Sequence, residues 1–111
     1  MFKKLFMESD NSNFNKLVQN TNDIRSKVKY GEQEEKIEKR MKKFLPNETI
    51  EARMLTNILT DNKYTDSDVK KKLKETINRL SKEYSEPEND IIDFINTEFE
   101  NIIKKTKILK V

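Results

Sequence analysis

From Ile91 to Ile103 the apolar residues keep a helical rhythm. Ile92, Ile95, Phe99 and Ile102 step 3-4-3, and Ile91, Phe94 and Ile103 widen the stripe. Acids crowd the approach (Glu86, Glu88, Asp90, Asp93) and lysines follow the end (Lys104, Lys105, Lys107), the order a helix dipole favours. Ser85-x-x-Glu88 has capping-box spacing and Pro87 falls in a first turn, so the pattern predicts a helix opening at Ser85. Its seven large apolar side chains contribute at most about 10–20 kcal/mol if all are buried. This helix is the expected centre of a bundle.

The rest of the chain follows the same period. Phe14, Leu17, Val18, Thr21, Ile24 and Val28 trace a first helix after the polar cluster 8–13, which suits a loop and cap. Tyr30, Ile37, Met41, Phe44 and Leu45 trace a second. At about 100° per residue Ile37 lies on the opposite side of a continuous rod from Val28, so a break at Gly31 is expected. Pro46 ends the second helix and Asn47 is placed to cap a third, with Ile50, Met54, Leu55, Ile58 and Leu59 as its stripe. Asp61 to Tyr64 reads as a turn. Thr65-x-x-Asp68 then opens a fourth helix, along which Val69, Leu73, Ile77, Leu80 and Tyr84 step 4-4-3-4. The tail 106–111 carries Leu109 in register with the fifth stripe. Residues 1–12 are expected to form an N-terminal arm and residues 13–111 a single helical domain.

Composition sharpens this. One glycine, two prolines and one alanine are too few for a hairpin-rich sheet fold, whereas long helices need few breakers. The expected class is all-α: a small bundle of about five helices with a C-terminal helical hairpin. Charged residues make up 39% and apolar residues 33%, which implies a thin core with long solvated faces. Leu, Ile, Val and Phe still supply 29 of the 111 residues, above the level at which disorder is expected. Burial against another molecule is a natural supplement to such a core. The basic start of the chain is followed by no export-type apolar run, and nothing is long enough to span a bilayer, so a cytoplasmic protein is expected. Nineteen lysines against four arginines, with 12 asparagines and 11 isoleucines, point to an AT-rich genome.

The chemistry available is narrow. Histidine and cysteine are absent, which removes the commonest general base, the thiolate nucleophile and the usual zinc ligands. A single glycine leaves no phosphate-cradling loop. The acidic run Asp61 to Asp68 lacks the central glycine and terminal glutamate of a calcium loop, and reads as a capped turn. No catalytic, cofactor or metal site is expected, and no small-molecule substrate.

Charge is distributed in blocks: +4 over residues 1–45, −3 over 46–68, +4 over 69–84, −6 over 85–100 and +4 over 101–111. Lys36, Lys39, Arg40, Lys42 and Lys43 are interleaved with glutamates and read as a self-neutralised helix. Lys70, Lys71, Lys72 and Lys74 differ, because they oppose the dipole in the first turns of the fourth helix. Lys70, Lys71, Lys74 and Arg79 are therefore the candidate partner-binding residues. A helix-turn-helix reading fails on a glycine-free turn and on the lack of base-reading side chains at the helix start, so phosphate contact fits better than sequence readout. The expected function is that of a non-enzymatic accessory or regulatory protein. It would act through protein–protein contacts, a second copy of the chain included, and contact with nucleic acid is the alternative.

Overall fold

The computed structural model describes residues 2–28 and 32–105, and these form five α-helices and, among the described residues, no strand. They are α1 (Phe2–Lys27), α2 (Glu32–Phe44), α3 (Thr49–Thr60), α4 (Asp66–Tyr84) and α5 (Glu88–Lys104). The expected all-α bundle is the fold. No helix among the described residues is long and apolar enough to cross a membrane. Residues 29–31, with the expected break at Gly31, and the tail 106–111 lie outside the described residues.

Among the described residues the apolar stripes meet in one cluster of 18 buried side chains. Leu17 and Ile24 enter from α1, Ile37 and Met41 from α2, Leu55, Ile58 and Leu59 from α3, and Val69, Leu73, Ile77 and Leu80 from α4. Helix α5 contributes Ile91, Ile92, Ile95, Phe99 and Ile102, and its contact with α1 is the most extensive between any two helices. Three side chains expected on the stripes, Ile50, Phe94 and Tyr84, stand outside. Ile50 is 58% exposed because it lies about 140° around α3 from Leu55, and Ala52 takes the buried position. Phe94 is 42% exposed, about 120° from the mid-line of the buried face of α5.

Polar pairs fix how the helices run. Asn13 donates to Asn89 and Asn20 to Asn96, each at 3.0 Å. The two pairs are seven residues apart on both helices, so α1 and α5 are parallel. Asn96, itself buried, also donates to the Asn13 carbonyl. Asn78 reaches Glu88 across the α4–α5 hairpin, which is antiparallel. Arg40–Glu98 and Phe44–Phe94 set α2 antiparallel to α5.

Three helix boundaries differ from those expected. α1 runs unbroken through 8–13, so residues 2–12 of the expected arm are helical. That stretch has polar residues but no glycine or proline, and polarity alone does not break a helix anchored further along on α5. Ser85 does not cap α5: it ends α4 in the left-handed region at φ 55°, its N–H bonded to the Ser81 carbonyl. A cap at Ser85 would need Glu86 helical directly before Pro87, which the proline ring disfavours. Helix α5 therefore starts at Glu88, with Pro87 extended and its carbonyl accepting from Asp90 and Ile91. Glu48 rather than Asn47 precedes α3, and its side chain makes no cap bond. The Thr65 cap is as expected, with both reciprocal bonds to Asp68 formed, at 3.0 and 3.1 Å.

Candidate functional site

The sequence candidates sit on α4, whose start is fixed by the Thr65–Asp68 box. Hydrogen bonds from the Thr65 backbone and hydroxyl, with Lys71 and Lys72 nearby, hold the Asp68 carboxyl below the usual carboxylate range. Lys70, Lys71 and Lys74 are exposed and make no ion pair with any described residue. Lys74 lies over the Phe14 ring of α1, 5.4 Å from its centroid. Lys72 turns to Glu75 at 3.5 Å.

Arg79 does not belong with these lysines. Nine residues at about 100° each place it on the opposite side of α4 from Lys70. There its Nε bonds Glu51 at 3.0 Å, with the Glu51 side chain only 7% exposed. The arginine secures a buried carboxylate on α3. Arg79→Ala is expected to cost about 1–2 kcal/mol, less than the loss of a fully buried pair because Arg79 is itself half-exposed and water can reach the site. Adding Glu51→Gln should recover part of that cost, which chemical denaturation of the single and double variants measures.

The remaining expected chemistry is structural. Asp61 accepts from the Lys63 backbone at 2.9 Å, as a turn former does. The basic face of α2 is neutralised in part along the helix, by Lys42–Glu38 at 3.1 Å, and in part across the bundle, by Arg40–Glu98 at 2.6 Å.

The surface that sequence patterning missed is aromatic. Phe44 from the end of α2 stacks on Phe94 of α5, centroids 4.6 Å apart. Tyr84 from the end of α4 meets the same Phe94 edge-to-face at 6.4 Å. The Tyr84 hydroxyl donates to Glu48 at 2.7 Å, tying the cluster to the α2–α3 turn. Burial, then the hydrogen bond to Glu48, then the charges of Glu48, Glu51 and Glu83 push Tyr84 up to about 12. Beside the same turn an open groove of about 760 Å³ runs between α2 and α3, with exposed Ile50 along it. Tyr84, Phe94 and Ile50 are the exposed large apolar residues of the described chain, and all three flank the 45–48 turn. Apolar spacing alone assigns Phe94 and Tyr84 to core stripes. The available signal was angular, since Phe94 falls well off the centre of its own stripe.

Tyr84 also sets a pH dependence. The folded state holds the Tyr84 proton more tightly than the unfolded chain, whose tyrosine ionises near 10. Its contribution is therefore complete below about pH 10 and is lost as pH rises toward 12. Subtracting the ultraviolet alkaline titration of Tyr84→Phe from that of the native chain should isolate a transition near 12. Glu48→Gln should lower it only in part, because burial is the larger cause. A midpoint near 10 would show that the ring is not held as described.

Comparison with protein-family models, curated proteins and solved structures gave no match.

Proposed function

We propose that this chain is a non-enzymatic, cytoplasmic binding protein that docks another protein at the end of the bundle carrying the 45–48 turn. One observation carries this reading: three helices, α2, α4 and α5, bring Phe44, Tyr84 and Phe94 together at the surface. Aromatic residues are enriched where protein interfaces concentrate their binding energy, because rigid rings bury area at low entropic cost. The non-enzymatic part rests on a sequence without histidine or cysteine, and on Glu51 and Glu98, carboxylates buried or nearly so among the described residues, each being held by an arginine.

A photo-crosslinking amino acid at position 94, compared with one at exposed position 63 in the turn at the other end of α3, tests the reading in extracts of the cell that makes the protein. Protein adducts at 94 and none at 63 are expected. Equal labelling at both, or none at either, overturns it.

Lys70, Lys71 and Lys74, which form no ion pair with any described residue, favour a second reading, phosphate contact along one side of α4. The triple change to Glu should leave the melting temperature about unchanged, since acids suit the start of a helix while the Lys74 contact with the Phe14 ring is lost. Any binding to mixed-sequence duplex DNA should vanish with it. Binding by the native chain should fall with salt at a log–log slope near −0.9 per phosphate neutralised. No binding by the native chain at low salt overturns this second reading.

A further inference from the structure

We infer that the segment docking on the Phe44–Tyr84–Phe94 surface is basic and amphipathic: a helix with large apolar side chains on one side and lysines or arginines beside them. The inference rests on the docking reading above and names the chemistry of what docks.

The sign of the rim decides it. Glu48 bonds the Tyr84 hydroxyl, and Glu83 is the residue before that tyrosine and acts on its ring hydroxyl. Asp90 stands one turn before Phe94 on the same side of α5, and Asp93 adjoins it; both are exposed. The arginines near the rings are already engaged, Arg40 with Glu98 and Arg79 with Glu51. Lys43 adjoins Phe44 in the chain, and exposed Arg53 lines the groove with Ile50. Lys82 lies about 200° around α4 from Tyr84 and points elsewhere. Among the described residues, the four carboxylates Glu48, Glu83, Asp90 and Asp93 thus outnumber the two cations Lys43 and Arg53 around an apolar centre.

A docking cation gains twice on such a surface. Its head meets the rim carboxylates, and its stem or guanidinium can lie against the exposed part of Phe94, as cations do on aromatic rings. An acidic segment would bring like charges together as water leaves, which complementarity penalises. The phosphates of a nucleic acid face the same penalty. The rings pack on one another at 4.6 and 6.4 Å instead of surrounding a hollow, so the partner lies across the surface and does not insert a small head group. A helix laid on an apolar patch is the recognition mode this shape suits.

The test titrates the full chain, isotope-labelled for NMR, with three synthetic amphipathic helices. One is built from leucine and lysine; the others carry glutamate or glutamine in place of each lysine. The lysine peptide should bind tightest, shift the Tyr84 and Phe94 signals, and weaken as salt is added. Phe94→Ala and the double change E83Q/D90N should each weaken it by about tenfold or more. Positions 83 and 90 are exposed, so that double variant reads binding without loss of the fold. Equal binding of the glutamate or glutamine peptide at these rings overturns the basic partner and leaves the docking reading standing. Binding of the lysine peptide that ignores both variants overturns the inference, since the peptide then sits elsewhere. If no peptide moves these signals the inference also falls, and crosslinking at position 94 alone decides the docking reading.

Discussion

Phe99→Ala is expected to lower stability by about 3–5 kcal/mol, the cost of a large cavity at a site that cannot collapse. Phe99 has no exposed surface and lies in the C-terminal half of α5, among the buried isoleucines Ile92, Ile95 and Ile102. The walls of the cavity are held on two sides. The Asn13–Asn89 and Asn20–Asn96 pairs pin α5 to α1, and the short 85–87 turn pins it to α4. Relaxation into the void is therefore limited, which puts the cost at the upper part of the range for aromatic truncation. In a domain of this size that corresponds to a fall in Tm of about 12 °C or more. Phe99→Leu should lose far less, because most of the volume stays filled. Asn101→Ala, exposed and about 200° around the helix, should be close to silent. Thermal and chemical denaturation of the three variants decides it. Equal melting temperatures for Phe99→Ala and Asn101→Ala would mean that the buried face of α5 is misassigned.

The part of the fold legible in the sequence is the part that period and breakers encode. Apolar spacing located all five helices, Pro46 ended the second, and the Thr65–Asp68 box appears with both its bonds. What failed was local inference with two competing solutions. Ser85 satisfied the spacing of a cap for the next helix, yet Pro87 excludes that backbone and Ser85 closes the previous helix instead. The cluster 8–13 looked like a loop because its residues favour turns, but no residue there forbids helix and α1 continues through it. The candidate site was less legible. Four basic side chains close in sequence suggested one face, but helix geometry sends Arg79 to the side opposite Lys70, where Glu51 lies. The aromatic surface depends on which ends of α2, α4 and α5 meet, and no local pattern carries that. Polar pairs between distant helices, such as Asn20 with Asn96, are invisible for the same reason.

Arg25→Ala is expected to cost about 2–4 kcal/mol, from the loss of charge-assisted hydrogen bonds that close the far end of the bundle. Arg25 lies in the last turn of α1, and its guanidinium spans three carbonyls. Nη1 donates to Ile58 and, at 3.0 Å, to Asp61, while Nη2 donates to Tyr64 at 3.0 Å. The Ile58 carbonyl belongs to the final turn of α3, where helical partners run out. That turn contains no basic residue of its own, so α1 supplies the cation that the negative end of the α3 dipole favours. The other two carbonyls shape the loop that delivers Thr65 to its cap. A single side chain thus joins α1, the end of α3 and the entry to α4. Arg25→Lys should recover only the dipole contribution, about 0.3–1 kcal/mol, because one ammonium cannot reproduce a planar fork aimed at three acceptors. Both variants should speed hydrogen exchange in the 59–65 segment while leaving the α5 amides nearly as protected as before, since local opening requires less than global unfolding. Denaturation curves together with residue-resolved exchange make the measurement. Full stability in Arg25→Lys would show that charge alone matters there, and a loss under about 0.5 kcal/mol in Arg25→Ala would show that water replaces the arginine without cost.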